Sequence, residues 1–332
     1  MRAYFLFLLS CLYLPCGMSQ STKGITGQPD TSYTTYSAYK NTLKQHPGIR
    51  IVKEHSFKSV KESRGLVYCT AGSRTLQIDA FQPVSGRKAK TPAVLIVHGG
   101  GWRSGNRSQH IPLAQHLAAA GFASFTVEYR LSTEALYPAA VYDLKAALRW
   151  MRANAEKFNI DTAKIAILGF SAGGELATFV GATSNMPQFE GTDCNTGFSS
   201  EVKAIVDIDG TLSFVHPESA EGDDSKSTSA ATYWFGYPKA ENPELWKEAS
   251  PLTHAAGNNA PVLFLNSSVV WMHAGRDDFR NILDKRNILD KKGVYSEVYT
   301  FEGAPHSFCL FEPWFRPMVA KITGFLNKVF QM

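Results

Sequence analysis

The chain has 332 residues, and 34 Lys and Arg against 29 Asp and Glu give a formal charge of +5. So small an excess excludes a dedicated nucleic-acid binder, whose basic residues concentrate in a stripe, while 44% hydrophobic and 19% charged residues exclude a disordered chain. Five cysteines are too few for a disulfide-built scaffold of this length, and no apolar run reaches the roughly 20 residues of a membrane-crossing helix.

Residues 1–19 read as a signal peptide. Met1-Arg2 is a short positive start, Ala3 to Pro15 is almost continuously apolar, and Gly17 and Ser19 are the small residues of a cleavage site before Gln20. Leu8-Leu9-Ser10-Cys11 also resembles a lipobox, which would anchor the mature chain at Cys11. Either route predicts export, to the periplasm or beyond. Cys69, Cys194 and Cys309 would then remain, enough in an oxidising compartment for one disulfide and one free thiol, with the pair left open. Residues 20–65 form an N-terminal extension whose Ser-, Thr- and Tyr-rich first part, 20–45, reads as a tether or edge segment. Residues 66–332 are expected to form the main folded domain.

From Arg74 onward strands and helices alternate. Leu76, Ile78 and Ala80 share one face of a half-buried strand, Arg74 to Phe81. Ala93 to Val97 is a β-prone run suited to burial on both faces. A helix over Ile111 to Ala120 ends at Gly121, and Phe122 to Tyr129 is a strand. Pro138 opens a long helix at its first position, with Val141, Leu144, Ala147, Leu148 and Met151 as its apolar stripe. Lys164 to Gly169 is a short strand and Ala172 to about Thr183 a helix. Further strands are predicted at Ala204 to Asp209, Val262 to Asn266 and Val294 to Phe301, with helices near 277–291 and 315–330. Such alternation builds an α/β fold, a mostly parallel sheet with helices on both faces. Residues 212–260 break the rhythm, as a lid-like insertion.

Chemistry collects at strand ends. Gly169-Phe170-Ser171-Ala172-Gly173 is a G-x-S-x-G between a strand and a helix, a turn so sharp that small neighbours must flank the serine. Ser171 is thereby exposed at a helix N-terminus, the place for a nucleophile. His98-Gly99-Gly100-Gly101-Trp102 follows another strand. The N–H groups of Gly100, Gly101 and Ala172 can donate to a tetrahedral oxyanion, and His98 reads as a brace for the glycine loop.

The HGGGW and GFSAGG sequences resemble those of α/β-hydrolase esterases, over about residues 70–330. The finer pattern, with Asn266-Ser267-Ser268, His273-Ala274-Gly275-Arg276-Asp277 and Ala304-Pro305-His306-Ser307-Phe308, is similar to secreted bacterial carbohydrate esterases. That resemblance implies a serine esterase acting on acetylated, methylated or feruloylated plant polysaccharide. It also implies a base after the last strand, which is His306. The acid is implied just after the strand Val262 to Asn266, where no acid follows closely. Asp277 is the preferred candidate, Asp278 the next, and Asp209, at the end of the preceding strand, a rival. Trp102 is a candidate sugar-stacking residue, with Trp234, Trp271 and Trp314 behind it.

No His or Cys cluster has zinc spacing and Asp223-Asp224 lacks calcium-loop spacing, so neither metal nor cofactor is expected. The expected partner is an esterified carbohydrate or another small ester, with no nucleic acid and no membrane span. Oligomeric state is left open. A lipase or general short-chain carboxylesterase shares every motif. A serine peptidase or a non-catalytic binding module fits less well, since no large gating domain is visible and both Ser171 and His306 are present.

Overall fold

The continuous apolar run ending at Val97 forms the middle of the molecule. The computed structural model describes residues 19–84, 89–290 and 294–332, and the predicted signal peptide and lipobox fall almost wholly outside them. In chain order its elements begin with α1 (Thr35–Thr42), β1 (Arg50–Ile51), β2 (Val60–Ala71), β3 (Arg74–Pro83), β4 (Thr91–Val97), α2 (Ile111–Ala119) and β5 (Ala123–Val127). They continue with α3 (Ala139–Ala153), β6 (Ile160–Phe170), α4 (Ala172–Ala182), β7 (Ala204–Ile208), α5 (Ala230–Phe235) and α6 (Pro243–Glu248). The last are β8 (Val262–Asn266), α7 (Arg276–Asp290), β9 (Ser296–Thr300), β10 (Phe311–Glu312) and α8 (Phe315–Phe330).

Eight strands form one sheet in the order β2-β3-β5-β4-β6-β7-β8-β9. The β2–β3 and β3–β5 pairs are antiparallel, and every pair from β5 to β9 is parallel. Parallel strands need crossovers, and helices supply them on both faces. On one face α3 and α4 bury Leu144, Leu148, Leu176 and Phe179. On the other, α2 and α8 bury Leu113, Leu117, Ile322 and Leu326. The α8 stripe of Met318, Ile322, Phe325, Leu326 and Phe330 repeats at helical spacing, and each such side chain removed from water contributes about 1.5–3 kcal/mol. The described part of the chain is an α/β-hydrolase fold: the parallel sheet with helices on both faces is what the strand–helix alternation predicts, and the hydrolase form of it is what the motif resemblance implies. Among the described residues no helix is long and apolar enough to cross a membrane.

Three features differ from the sequence reading. Pro138 precedes α3 as its cap residue rather than occupying its first turn. The segment 20–45 is no loose tether: it contains α1, capped by reciprocal Thr34 and Ser37 hydrogen bonds, and Ala38, Tyr33 and Tyr39 pack on the α2–α8 core. The boundary placed between residues 65 and 66 falls inside β2, which pairs with β3 along its length. The reason is shared in the last two cases. Aromatic and β-branched residues dispersed among Ser and Thr show no periodicity until a neighbouring surface collects them. The Cys69–Cys194 disulfide joins β2 to the loop that follows α4, and Cys309 is buried with a free thiol.

Candidate active site

Parallel strands deliver their C-terminal ends to one edge, and the chemistry gathers there. β6 runs directly into Ser171, whose φ of 57° lies in the left-handed region. A serine holds that conformation only because its surroundings enforce it. Its N–H donates to Ile208 O at 2.8 Å and its carbonyl accepts from Gly174 N at 2.8 Å. A Cβ at Gly169 would stand 1.8 Å from Gly173 O, so the turn closes only with glycine there.

His306, in the loop between β9 and β10, brings Nε2 to 2.8 Å from Ser171 Oγ. Its Nδ1 lies 3.0 Å from Asp209 Oδ2. Asp209 directly follows β7, is buried, and holds a φ of 51°. Its other oxygen accepts from Ser267 N at 2.8 Å and Asn266 Nδ2 at 3.4 Å. A buried polar group is held by such partners.

The expectation that Asp277 meets His306 is corrected. Asp277 lies in the first turn of α7 with a side chain 69% exposed, held by Arg276 Nε at 2.9 Å and Nη2 at 3.1 Å. The hydrogen bond from Arg276, with its charge, keeps the Asp277 carboxyl below the usual carboxylate range. Asp278 pairs instead with His216 Nε2 at 3.3 Å. After β8 the chain makes a short helical turn at Val270–His273 before α7 begins, which turns both acids outward, where they favour the helix N-terminus. Arg276 then reaches back, its Nη1 donating to Asn266 Oδ1 at 2.7 Å.

The glycine loop lies against the serine. Gly100 and Gly101 line a cleft of about 440 Å³ together with Ser171, His306, Arg103 and Ala230. Gly100 has a φ of 131°, and a Cβ there would stand 1.9 Å from Ser104 O. Among the described residues the N–H groups of Gly100, Gly101 and Ala172 donate to no backbone carbonyl. His98 braces the loop, with Nδ1 3.0 Å from Gly99 O and its ring stacked on Tyr129. Burial lowers its imidazole to about 4, so it is neutral in ordinary conditions.

Trp102 does not face substrate. It is 3% exposed, its ring stacks on Trp234 at 5.1 Å and 11°, and its indole N–H donates to Glu175 Oε2 at 2.8 Å. A large apolar ring loses more water by joining a core than by lining a cleft. Trp234 is fully buried too, and Trp314 packs against the core, while Trp271 is exposed. The insertion 212–260 packs as an aromatic block of Phe214, Trp234, Phe235 and Trp246. It places Ala230 on the cleft. Asp224 accepts from Ser229 N and Thr232 Oγ1 and so ties down the start of α5.

Some cleft residues carry no signal in the sequence. Asp30, Ser32, Tyr33 and Ser37, from the segment before and within α1, form one wall. Asp30 meets Ser104 in an isolated bridge, and Ser104 Oγ accepts from Tyr33 N at 2.8 Å. Tyr33 titrates high because it is buried. Only the folded arrangement brings this stretch to the glycine loop.

A hydroxyl bonded to an imidazole that is in turn bonded to a buried carboxylate, beside unpaired N–H groups, can perform acyl transfer. The BD-FAE family model matches residues 78–269. Among curated proteins, the chain is 32% identical to Esterase LipC of Mycobacterium tuberculosis over 53% of this chain and 44% of that protein. It is 42% identical to Carboxylesterase NlhH of the same species over 26% of this chain and 27% of that one. The chain thus spans less than half the length of these relatives. Among solved structures, a truncated form of a carbohydrate esterase from gut microbiota superposes with a TM-score of 0.69 at 24% identity, over 84% of this chain and all of that one. A bifunctional GH43-CE protein of Bacteroides eggerthii gives 0.64 at 22% identity, over 81% and 38%. At these identities the structural likeness speaks for the fold.

Proposed function

The chain belongs to the BD-FAE family, and from that premise we propose that it is a serine carboxylic-ester hydrolase whose triad is Ser171, His306 and Asp209. The observation that carries this reading is the continuous hydrogen-bonded chain from Ser171 Oγ through the two nitrogens of His306 to Asp209. His306 Nε2 takes the Ser171 proton as Oγ attacks the ester carbonyl. The oxyanion is held by N–H groups of Gly100, Gly101 and Ala172. The imidazolium, stabilised by Asp209, returns its proton to the departing alkoxide. Water, activated by the same nitrogen, then releases the acid and frees Ser171.

The relatives named esterase and carboxylesterase support short-chain esters in general. The resemblance of the motifs to carbohydrate esterases, together with the fold shared with a carbohydrate esterase from gut microbiota, supports a narrower reading, an acetyl or methyl ester on plant cell-wall polysaccharide. The Cys69–Cys194 disulfide and the N-terminal segment support an exported enzyme.

A panel of acetyl-xylan, acetylated and methylated pectin, feruloyl esters and acylglycerols of rising chain length, scored by released acid, tests both levels. Higher kcat/KM on a polysaccharide than on acylglycerols of equal acyl length is expected. Equal rates would reduce the reading to a general carboxylesterase. No turnover on any ester would overturn it.

A further inference from the structure

Glu175 is a fully buried acid one turn after the nucleophile, and the triad makes no use of it. Its N–H donates to Ser171 O at 3.0 Å, so its backbone is part of the turn that presents the serine. Its side chain reaches the other way and accepts from the indole N–H of Trp102 at 2.8 Å. Trp102 immediately follows Gly100 and Gly101 and has a φ of 57°. A bulky residue in the left-handed region must be held there. What holds it is specific: the Glu175 bond, the stack on Trp234, the contact with Phe214 at 5.3 Å, and the bond from Ser132 N to Trp102 O at 2.8 Å.

We propose that Glu175 is a positioning residue, which acts through Trp102 to fix the glycine loop against the serine so that its N–H groups meet the oxyanion. The proposal rests on the serine-hydrolase reading above and adds a part to it. One residue thereby links the two halves of the site, the nucleophile turn by its backbone and the oxyanion loop by its side chain. The chemistry of the pocket agrees. Glu175 Oε1 has no hydrogen-bond partner among the described residues. Burial, with Asp207 and Glu221 nearby, pushes its carboxyl well above the ordinary range against the pull of the Trp102 bond. Of its two oxygens only Oε2 is engaged, by the indole N–H. A leucine of similar size would fill the space without burying an unpaired polar atom. The indole bond is what an acid provides there and a leucine does not.

The test compares Glu175→Leu, Glu175→Gln, Trp102→Phe and the double variant Glu175→Leu/Trp102→Phe. It measures kcat, KM, melting temperature and the affinity of an alkyl trifluoromethyl ketone, which forms a tetrahedral adduct on a serine. Glu175→Leu is expected to lower kcat about 10- to 100-fold with KM within about twofold, and to weaken the ketone by the same factor. Glu175→Gln, which keeps an acceptor, stays within about threefold of the parent. Trp102→Phe keeps an aromatic ring, though a smaller one, and loses the N–H, so it shows the same loss, and the double variant is no worse than either single. Unchanged kcat and ketone affinity in both single variants, with only a lower melting temperature, would overturn the proposal, as would losses that multiply. If Glu175→Leu does not fold, Trp102→Phe decides alone. A parent protein that hydrolyses no ester and binds no ketone overturns the serine reading itself, and this inference with it.

Discussion

The ends of β7 and β8 lie side by side on the same edge of the sheet, yet they do opposite things with their acids. β7 ends in Asp207-Ile208-Asp209-Gly210, and both carboxylates turn inward, Asp209 to His306 and Asp207 to Gly210 N at 2.6 Å and Thr178 Oγ1 at 3.0 Å. β8 ends in Asn266-Ser267 and delays its acids to α7, where both are exposed, Asp277 against Arg276 and Asp278 against His216. The contribution of β8 to the site is indirect: Asn266 and Ser267 donate to Asp209. An acid serves a triad through the direction in which its strand end releases it, and chain order alone does not carry that direction.

The comparison breaks most sharply on rate. Asp209→Asn is expected to lower kcat by about 10⁴ while KM changes little, because the imidazole loses its orienting and charge-balancing partner. Steady-state kinetics beside Asp277→Asn decides it: a crippled Asp277 variant and an active Asp209 variant would reverse the assignment.

The second carboxylate of β7 is sharpened by pH. Burial raises the Asp207 carboxyl from 3.8 to about 7, against the bonds from Gly210 and Thr178 that lower it. The folded chain therefore keeps a proton that the unfolded chain releases. The stability linked to it is complete below pH 3.8 and is lost as pH rises through about 7. Asp207→Asn, measured by thermal unfolding, should fall less in melting temperature between pH 4 and 7 than the parent. Parallel curves would show that Asp207 is ionised throughout.

On the β8 side the effects shrink. Asn266→Ala removes one donor to Asp209 and leaves Arg276 without its amide acceptor. A loss of about 1 kcal/mol in holding Asp209, read as roughly a fivefold lower kcat at constant KM, is expected. Unchanged kcat would show that Ser267 N alone holds the carboxylate.

Asp277→Asn is the smallest. Its exposed pair with Arg276 lies at the start of a helix, so removing the charge should cost under about 1 kcal/mol of stability and leave the rate within twofold. A drop in kcat beyond tenfold would restore Asp277 to the site.

The turn at Ser171 and the glycine loop were legible because their constraints are local. A serine in a strand-to-helix turn needs Gly169 beside it, and a loop that exposes its N–H groups needs Gly100, so the demand is written in adjacent letters. The parallel sheet was legible for the same kind of reason: buried strands must be continuously apolar, and amphipathic helices must repeat at their own period. What tertiary structure decided was everything that depends on direction after a strand ends. Asp209 and Asp277 both lie between Ser171 and His306 in the chain, and only the turn at Val270–His273 sends one of them to solvent. Trp102 looked like a substrate platform because a sequence shows an aromatic beside a glycine loop and not the Trp234 ring waiting 5.1 Å away. The Cys69–Cys194 pair and the wall formed by Asp30 to Ser37 belong to the same class. Their partners are distant in sequence, and no local periodicity or spacing encodes a contact that exists only once the sheet has assembled.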